Sequence, residues 1–288
     1  MNRKTSAGAL FIVATPIGNL GDITRRAVET LAAVDLILAE DTRRAGALLS
    51  HLGIRAPVQS FHQHNEAARL PTVLRRLAAG AQVALISDAG TPLISDPGRR
   101  LVRRARQAGV RVSPLPGASA VTAALSAAGQ PAARFCFEGF LPATAAARAR
   151  RLRELRDEPR TLVCYESSHR IAATLDAMAA AFGDAREVTV AREISKRFET
   201  FYCGGLAEVR AALAAAAEHR KGEFVIITAG APPTPAPADH RAQEIMELLS
   251  AELPLTRASH LTAQITGVNR NTLYAAAVKA RDESGEEC

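Results

Sequence analysis

Residues Val83–Gly98 read VALISDAGTPLISDPG. Four apolar residues, Val83–Ile86, run straight into Ser87–Gly98, where two Asp, two Gly and two Pro fall within twelve positions. A short apolar run bounded by turn residues predicts a buried strand. The loop that follows exceeds the roughly two to six residues of a plain strand-to-helix connection. Asp88 at the strand end is placed to accept hydrogen bonds from a ligand. Asp96 before Pro97 reads as a helix N-cap with proline at the first helical position.

The same grammar recurs outward in both directions. Ala9–Ala14, Leu36–Ala39, Arg111–Leu115, Arg134–Phe137, Leu162–Tyr165, Val188–Ala191 and Phe224–Thr228 read as further strands. Amphipathic stretches lie between them: Ile23–Ala33, Ala67–Ala79, Gly98–Ala108 and Arg170–Phe182. Strands separated by helices predict parallel βαβ units and an α/β fold. Ligands of such sheets sit beyond the carboxyl ends of strands, so the loops after Ala14, Ala39 and Ile86 are the first places to look for chemistry. There is no G-x-G-x-x-G after the first strand and no G-x-x-x-x-G-K-[ST] anywhere, which argues against nicotinamide enzymes and P-loop NTPases.

The chain has 288 residues and a formal charge of +7, with 48% apolar and 23% charged residues. That length predicts about two domains, and the balance excludes disordered and fibrous classes. Cys136, Cys164, Cys203 and Cys288 show no metal-ligand spacing, and reduced cytoplasmic thiols are the expectation. Arg3 and Lys4 ahead of Ala7–Ala14 could open a signal peptide, but Thr15-Pro16 and Gly18-Asn19 interrupt it early. No apolar run approaches the ~20 residues of a membrane-spanning helix. The Pro/Ala run APPTPAPA at Ala231–Ala238 reads as a linker. Three helical stretches follow it, Arg241–Leu253, Thr256–Ile265 and Asn271–Arg281, whose spacing fits a helix-turn-helix.

Several motifs then occur in one order: ATPIGNL at Ala14–Leu20, AEDTR at Ala39–Arg43, FHQHN at Phe61–Asn65, SDAGTPLISDPG, LPGASA at Leu115–Ala120, FEGFLP at Phe137–Pro142, YESSHR at Tyr165–Arg170 and ARE at Ala191–Glu193. In this series the chain resembles the ribosomal RNA small-subunit methyltransferase I family, of the tetrapyrrole-methylase fold. The resemblance runs through LTAQITGVNRNTLY in the helical appendage. It implies two α/β domains, 1–117 and 118–232, with a cleft between them, and an appendage over 240–282. It also implies a homodimer and S-adenosylmethionine-dependent 2′-O-methylation of a cytidine in the decoding region of 16S rRNA. Carried over by motif, Pro16, Asp88, Gly90, Thr91, Ser119, Ala120 and Tyr165 would hold the cofactor. Ser168 and Ala118 stand where the family usually has proline, which bears on local turn geometry.

A ribose hydroxyl must lose its proton to act as a nucleophile. The candidate acceptors are the strand-end carboxylates Glu166, Asp41 and Glu193, each of which could instead pair with a neighbouring arginine, Arg170, Arg43 or Arg192. Methyl transfer from a sulfonium needs no metal, and His62 with His64 alone is a weak metal signal. RNA binding needs phosphate-neutralising charge. The expected contacts are Arg43, His64, Arg148, Arg150, Arg151 and Arg170. Thirteen arginines against four acids lie between Pro97 and Arg160, so the basic excess is concentrated there. Ten of them form two stripes, Arg99–Arg106 and Arg148–Arg156. Three rival readings remain: a tetrapyrrole methylase on the same fold, a nucleic-acid-binding regulator using Thr256–Arg281, and a metal-dependent phosphoesterase using Asp41, His62, His64 and Asp88.

Overall fold

The computed structural model describes residues 8–232 and 237–284. In its first half, β1 (Ala9–Val13), α1 (Arg25–Ala33), β2 (Leu36–Ala39), α2 (Thr42–His51), β3 (Val58–Ser60), α3 (Glu66–Ala78), β4 (Gln82–Ile86), α4 (Arg99–Gln107) and β5 (Arg111–Leu115) alternate without exception. The strands form one parallel sheet in the order β3-β2-β4-β1-β5. β2 and β4 are buried almost throughout, as a sheet covered on both faces requires. Ala27, Leu31, Ala45 and Leu49 of α1 and α2 pack with Val13, Ile37 and Ile86 on one face. Val73 and Leu77 of α3, with Leu101 and Ala105 of α4, pack with Leu10, Leu38 and Leu85 on the other.

This strand order fixes where a ligand can bind. β1 sends its connection towards β2, and its neighbour β4 sends its own towards β5, on the opposite side. Connections that diverge from two adjacent strands open a crevice beyond their carboxyl ends. Val13 lies level with Ile86 on one side and Leu115 on the other, so the three strands end together. The loops leaving β1 and β4 are tied by a bridge between Thr15 and Gly90.

The chain continues through α5 (Ala120–Ala127), β6 (Phe135–Phe140), α6 (Ala145–Glu154), β7 (Thr161–Ser167), α7 (Ile171–Phe182), β8 (Glu187–Arg192), β9 (Thr200–Gly205), α8 (Leu206–Ala214) and β10 (Glu223–Thr228). The second sheet has the order β6-β7-β10-β8-β9. Only β6 and β7 are parallel; β7–β10, β10–β8 and β8–β9 are antiparallel. The expectation of parallel βαβ units therefore fails for most of this half. The reason is β9: it returns directly after β8, and β10 then inserts between β7 and β8. A bulge between Phe137 and Gly139 shifts the β6–β7 register. Such a bulge re-aims neighbouring side chains, here next to Phe140.

Both sheets belong to one compact unit, Met1–Gly230, and a second unit spans Ala231–Cys288. The second contains α9 (Pro237–Glu252), α10 (Leu255–Thr266) and α11 (Arg270–Ser284). Ala242, Met246, Ala258 and Leu273 are buried among these helices. Gly267, at φ 75°, ends α10, and three residues, 267–269, separate α10 from α11, the spacing of a helix-turn-helix. Part of the expected linker, 233–236, lies outside the described residues. No helix among the described residues is long and apolar enough to cross a membrane.

Candidate functional site

A cavity of about 410 Å³ lies within the first unit. That volume falls in the range of small-molecule sites. The parallel sheet contributes Ile17 after β1, Glu40 after β2, Arg44 on α2 and the Asp88–Thr91 and Ile94–Asp96 segments after β4. Ser119 and Ala120 come from the start of α5. The second sheet contributes Phe140, Tyr165–Ser167 and Glu223–Val225, with Ile194 and Lys196 from the loop after β8. The site is therefore built from both halves of the unit, at the crevice that the strand order opens.

The β4 loop is held by its own backbone and hydroxyls. Thr15 and Gly90 exchange two backbone hydrogen bonds of 2.9 and 3.0 Å. Ser87 Oγ donates to the Gly90 carbonyl at 2.9 Å, and Thr91 Oγ1 donates to the Ala118 carbonyl at 3.0 Å. Gly90 sits at φ 78°, where a Cβ would come within 3.2 Å of Ile17 Cγ2. Leu93 and Ser95 take positive φ of 75° and 71°, unusual for residues with side chains. Strain of this kind persists where the surrounding structure over-determines the loop.

Asp96 does not cap the helix that follows it. The expected N-cap role falls to Gly98, whose φ is 117° and whose missing Cβ would lie 2.6 Å from Leu85 Cδ2. The helix thus begins at Arg99, and Asp96 is left in the loop as part of the cavity wall. Burial and the nearby Glu40 and Asp88 carboxylates push its carboxyl up to about 7. Glu40 is also raised, by burial and by Asp88, against the opposing pull of His62 and Arg44. Asp88 accepts the Asp41 backbone N–H at 3.0 Å and faces Arg44 at 3.5 Å.

Asp88, Gly90, Thr91, Ser119, Ala120 and Tyr165 all line the cavity. Pro16 does not; it is buried, and its neighbour Ile17 supplies the wall. The three expected proton acceptors are all otherwise engaged. Glu166 lines the cavity, but its carboxylate is fully buried. It accepts from Thr174 Oγ1 at 2.7 Å and from the Ser167 N–H at 2.8 Å. Asp41 lies outside the lining and caps α2, accepting from the Arg43 N–H at 2.8 Å. The Arg43 guanidinium, 2.7 Å away, holds the Asp41 carboxyl well below the usual range. Burial alone would raise Glu193, but Lys196 at 2.9 Å and the Glu223 N–H hold it below its usual value.

The expected RNA contacts separate in the same way. Arg43 is spent on Asp41, Arg148 is buried, and Arg170 donates to the Leu141 and Pro142 carbonyls. Arg151 pairs with Glu138 and Glu154. Of these, only Arg150 and His64 are exposed and, among the described residues, free of an ion pair. Sequence reasoning missed Glu40, Ile94, Asp96 and Phe140. The order Asp41-Thr42-Arg43-Arg44 is an N-cap signature that could have moved attention from Asp41 to Glu40. Among the described residues no group of three His, Cys, Asp or Glu side chains is placed to hold a metal ion.

The wall suits a cationic, partly aromatic molecule. Five acids, Glu40, Asp88, Asp96, Glu166 and Glu223, face two cations, Arg44 and Lys196. Tyr165 packs edge-on to Phe137 at 5.0 Å and against Phe140 at 5.6 Å, which gives an aromatic side.

The family model for tetrapyrrole (corrin/porphyrin) methylases matches residues 9–210, and that for the RsmI C-terminal HTH domain matches 234–281. A protein of Escherichia coli O157:H7 named ribosomal RNA small subunit methyltransferase I is 51% identical, covering 93% of this chain and 94% of its own. One of the same name from Pseudomonas aeruginosa is 50% identical, covering 97% and 100%. The chain belongs to the ribosomal RNA small subunit methyltransferase I family. It is a methyltransferase. Solved structures agree on the fold of the first unit. A cobalt precorrin-4 methyltransferase aligns with a TM-score of 0.59 at 18% identity, over 80% of this chain and 98% of its own. A diphthine synthase gives 0.59 at 14%, over 77% and 90%.

Proposed function

We propose that this methyltransferase modifies the 2′-hydroxyl of a cytidine in the decoding region of 16S rRNA, working in the cytoplasm as a homodimer with the small ribosomal subunit as substrate. S-adenosylmethionine supplies an electrophilic methyl group on a sulfonium. The observation that carries the reading is the acid-rich cavity with a titratable Asp96 in its wall. A hydroxyl nucleophile requires a proton acceptor, and an acceptor works best with a pKa near the operating pH. Asp96 meets that requirement, whereas Glu166, Asp41 and Glu193 are committed to other partners.

The remaining residues position the reactants. The backbone at Gly90 and at Ser119–Ala120 admits a close approach, because neither segment carries a bulky side chain. Glu40 and Asp88 complement positive charge. Ile17, Ile94, Phe140 and Tyr165 exclude water from the reaction and offer faces to aromatic rings. Asp96 Oδ takes the hydroxyl proton. Alignment within about 3–3.5 Å would supply much of the rate enhancement.

A tetrapyrrole methylase shares the fold, so fold alone does not choose the substrate. The test is transfer of labelled methyl from S-adenosylmethionine to isolated small subunits or their RNA, beside a porphyrin or corrin precursor. Label in the RNA alone supports the reading. Label in the tetrapyrrole alone overturns it.

A further inference from the structure

The two arginine stripes expected from the sequence differ sharply in their surroundings. In the second stripe, Arg148 is buried and Arg151 is held by Glu138 and Glu154, which leaves three exposed arginines, Arg150, Arg153 and Arg156, with the acids Glu154, Asp157 and Glu158 interspersed among them. On α4, Arg99, Arg100, Arg103, Arg104 and Arg106 are all exposed. The only buried residues of that helix are Leu101 and Ala105, which face the sheet. Its neighbour α3 packs against it on the same face of the sheet and adds the exposed Arg69, Arg75 and Arg76.

These eight guanidiniums face a single acid on the two helices, Glu66, and Glu66 is buried. None of the eight takes part in an ion pair among the described residues. Like charges crowded on one face repel one another, and this chain neutralises many of its arginines elsewhere. An unneutralised cluster of this size is matched by an extended polyanion. It also adjoins the cavity: α4 begins three residues after Asp96.

We propose that the outer face of α3 and α4 is the surface on which the RNA backbone docks, leading the target nucleotide to the cavity. The proposal rests on the reading of RNA as the substrate. At 1.5 Å per residue, α3 extends for roughly 20 Å. That length accommodates on the order of six phosphates at about 3.4 Å per nucleotide along a strand. Phosphate contacts set register without reading sequence, so the surface supplies affinity and the cavity supplies selection.

The test compares two triple variants of equal charge change in the full-length protein. One is Arg100→Ala/Arg103→Ala/Arg104→Ala on α4. The other removes the exposed Arg150, Arg153 and Arg156, also to Ala. Alanine keeps both helices intact, and thermal melting with S-adenosylmethionine binding verifies the fold. Binding of small-subunit rRNA is measured across salt concentrations. The α4 variant is expected to reduce the slope of log affinity against log salt by about 2, at roughly 0.7 per phosphate contact. The second variant should shift it by well under 1. Equal losses in both would show a diffuse charge effect and overturn the surface. An unchanged slope in the α4 variant would also overturn it, while leaving the substrate reading intact. A parent protein that binds rRNA with no salt dependence would likewise overturn the surface, whereas one that neither binds nor methylates small-subunit rRNA would overturn the substrate reading itself.

Discussion

Replacing Asp96 by Asn should separate catalysis from stability, because the carboxylate serves one at the expense of the other. Its folded pKa is raised from 3.8 to about 7 by burial, then by Glu40 and Asp88. The ionised form is the proton acceptor, so kcat/KM should climb with pH and level off above about 7. With a single acceptor the rate at pH 6 would be about one-tenth of the plateau, and at pH 5 about one-hundredth. Asp96→Asn should lose this limb and about 10²–10⁴-fold of the plateau. Stability should move the other way. A carboxyl raised in the folded state favours the protonated protein, so ionisation costs stability as pH rises from about 4 to 7. Asn cannot ionise. After allowance for solvent screening of a half-buried group, the variant should gain on the order of 1–2 kcal/mol at pH 8. That corresponds to a Tm higher by roughly 2–8 °C, shrinking as the pH falls towards 4. Methyl transfer to RNA over pH 5–9 and thermal melts at matched pH provide both readouts. An Asp96→Asn enzyme that keeps the acid limb would refute the assignment.

Three further outcomes test the surrounding geometry. Glu40→Gln removes the larger of the two negative neighbours of Asp96 and should move the acid limb to lower pH, read from the same rate profile. Gly90→Ala places a Cβ at φ 78° and 3.2 Å from Ile17 Cγ2, and should weaken S-adenosylmethionine binding severalfold while costing about 1–2 kcal/mol in a denaturant melt. Thr174→Val deprives the buried Glu166 carboxylate of its 2.7 Å donor and should destabilise the fold by about 1–3 kcal/mol. Because Glu166 is a structural acceptor in this account, the residual enzyme should retain its pH profile.

Most of the first sheet was legible because β1, β2 and β4 are short, largely apolar and punctuated by Asp, Gly and Pro. β3 escaped because it has three half-buried residues, and β9 because TFYCGG carries neither clear alternation nor a full apolar run. The antiparallel half could not be read from the alternation of elements, since insertion of β10 between β7 and β8 is a tertiary choice. Within the site, the loops are legible in the sequence, and the partners of their side chains are not. Asp-Pro resembles a helix start, yet Gly98 next to Leu85 sets the start later. Glu166 follows a strand as a ligand-binding acid would, yet Thr174, eight residues on, turns it inward. The local excess of arginine was plain, but only packing shows that every arginine of α4 is exposed while Arg148 of α6 is buried and Arg151 is paired.

The proposed activity delivers the methyl group to a ribose oxygen of the small-subunit RNA. A 2′-O-methyl group removes the hydroxyl that attacks the adjacent phosphate in alkali. Small-subunit RNA treated with the enzyme and S-adenosylmethionine should therefore resist alkaline cleavage after one cytidine of the decoding region, and at no new position after treatment with Asp96→Asn. Label incorporated with every ribose still cleavable, or carried on a base, would contradict the account.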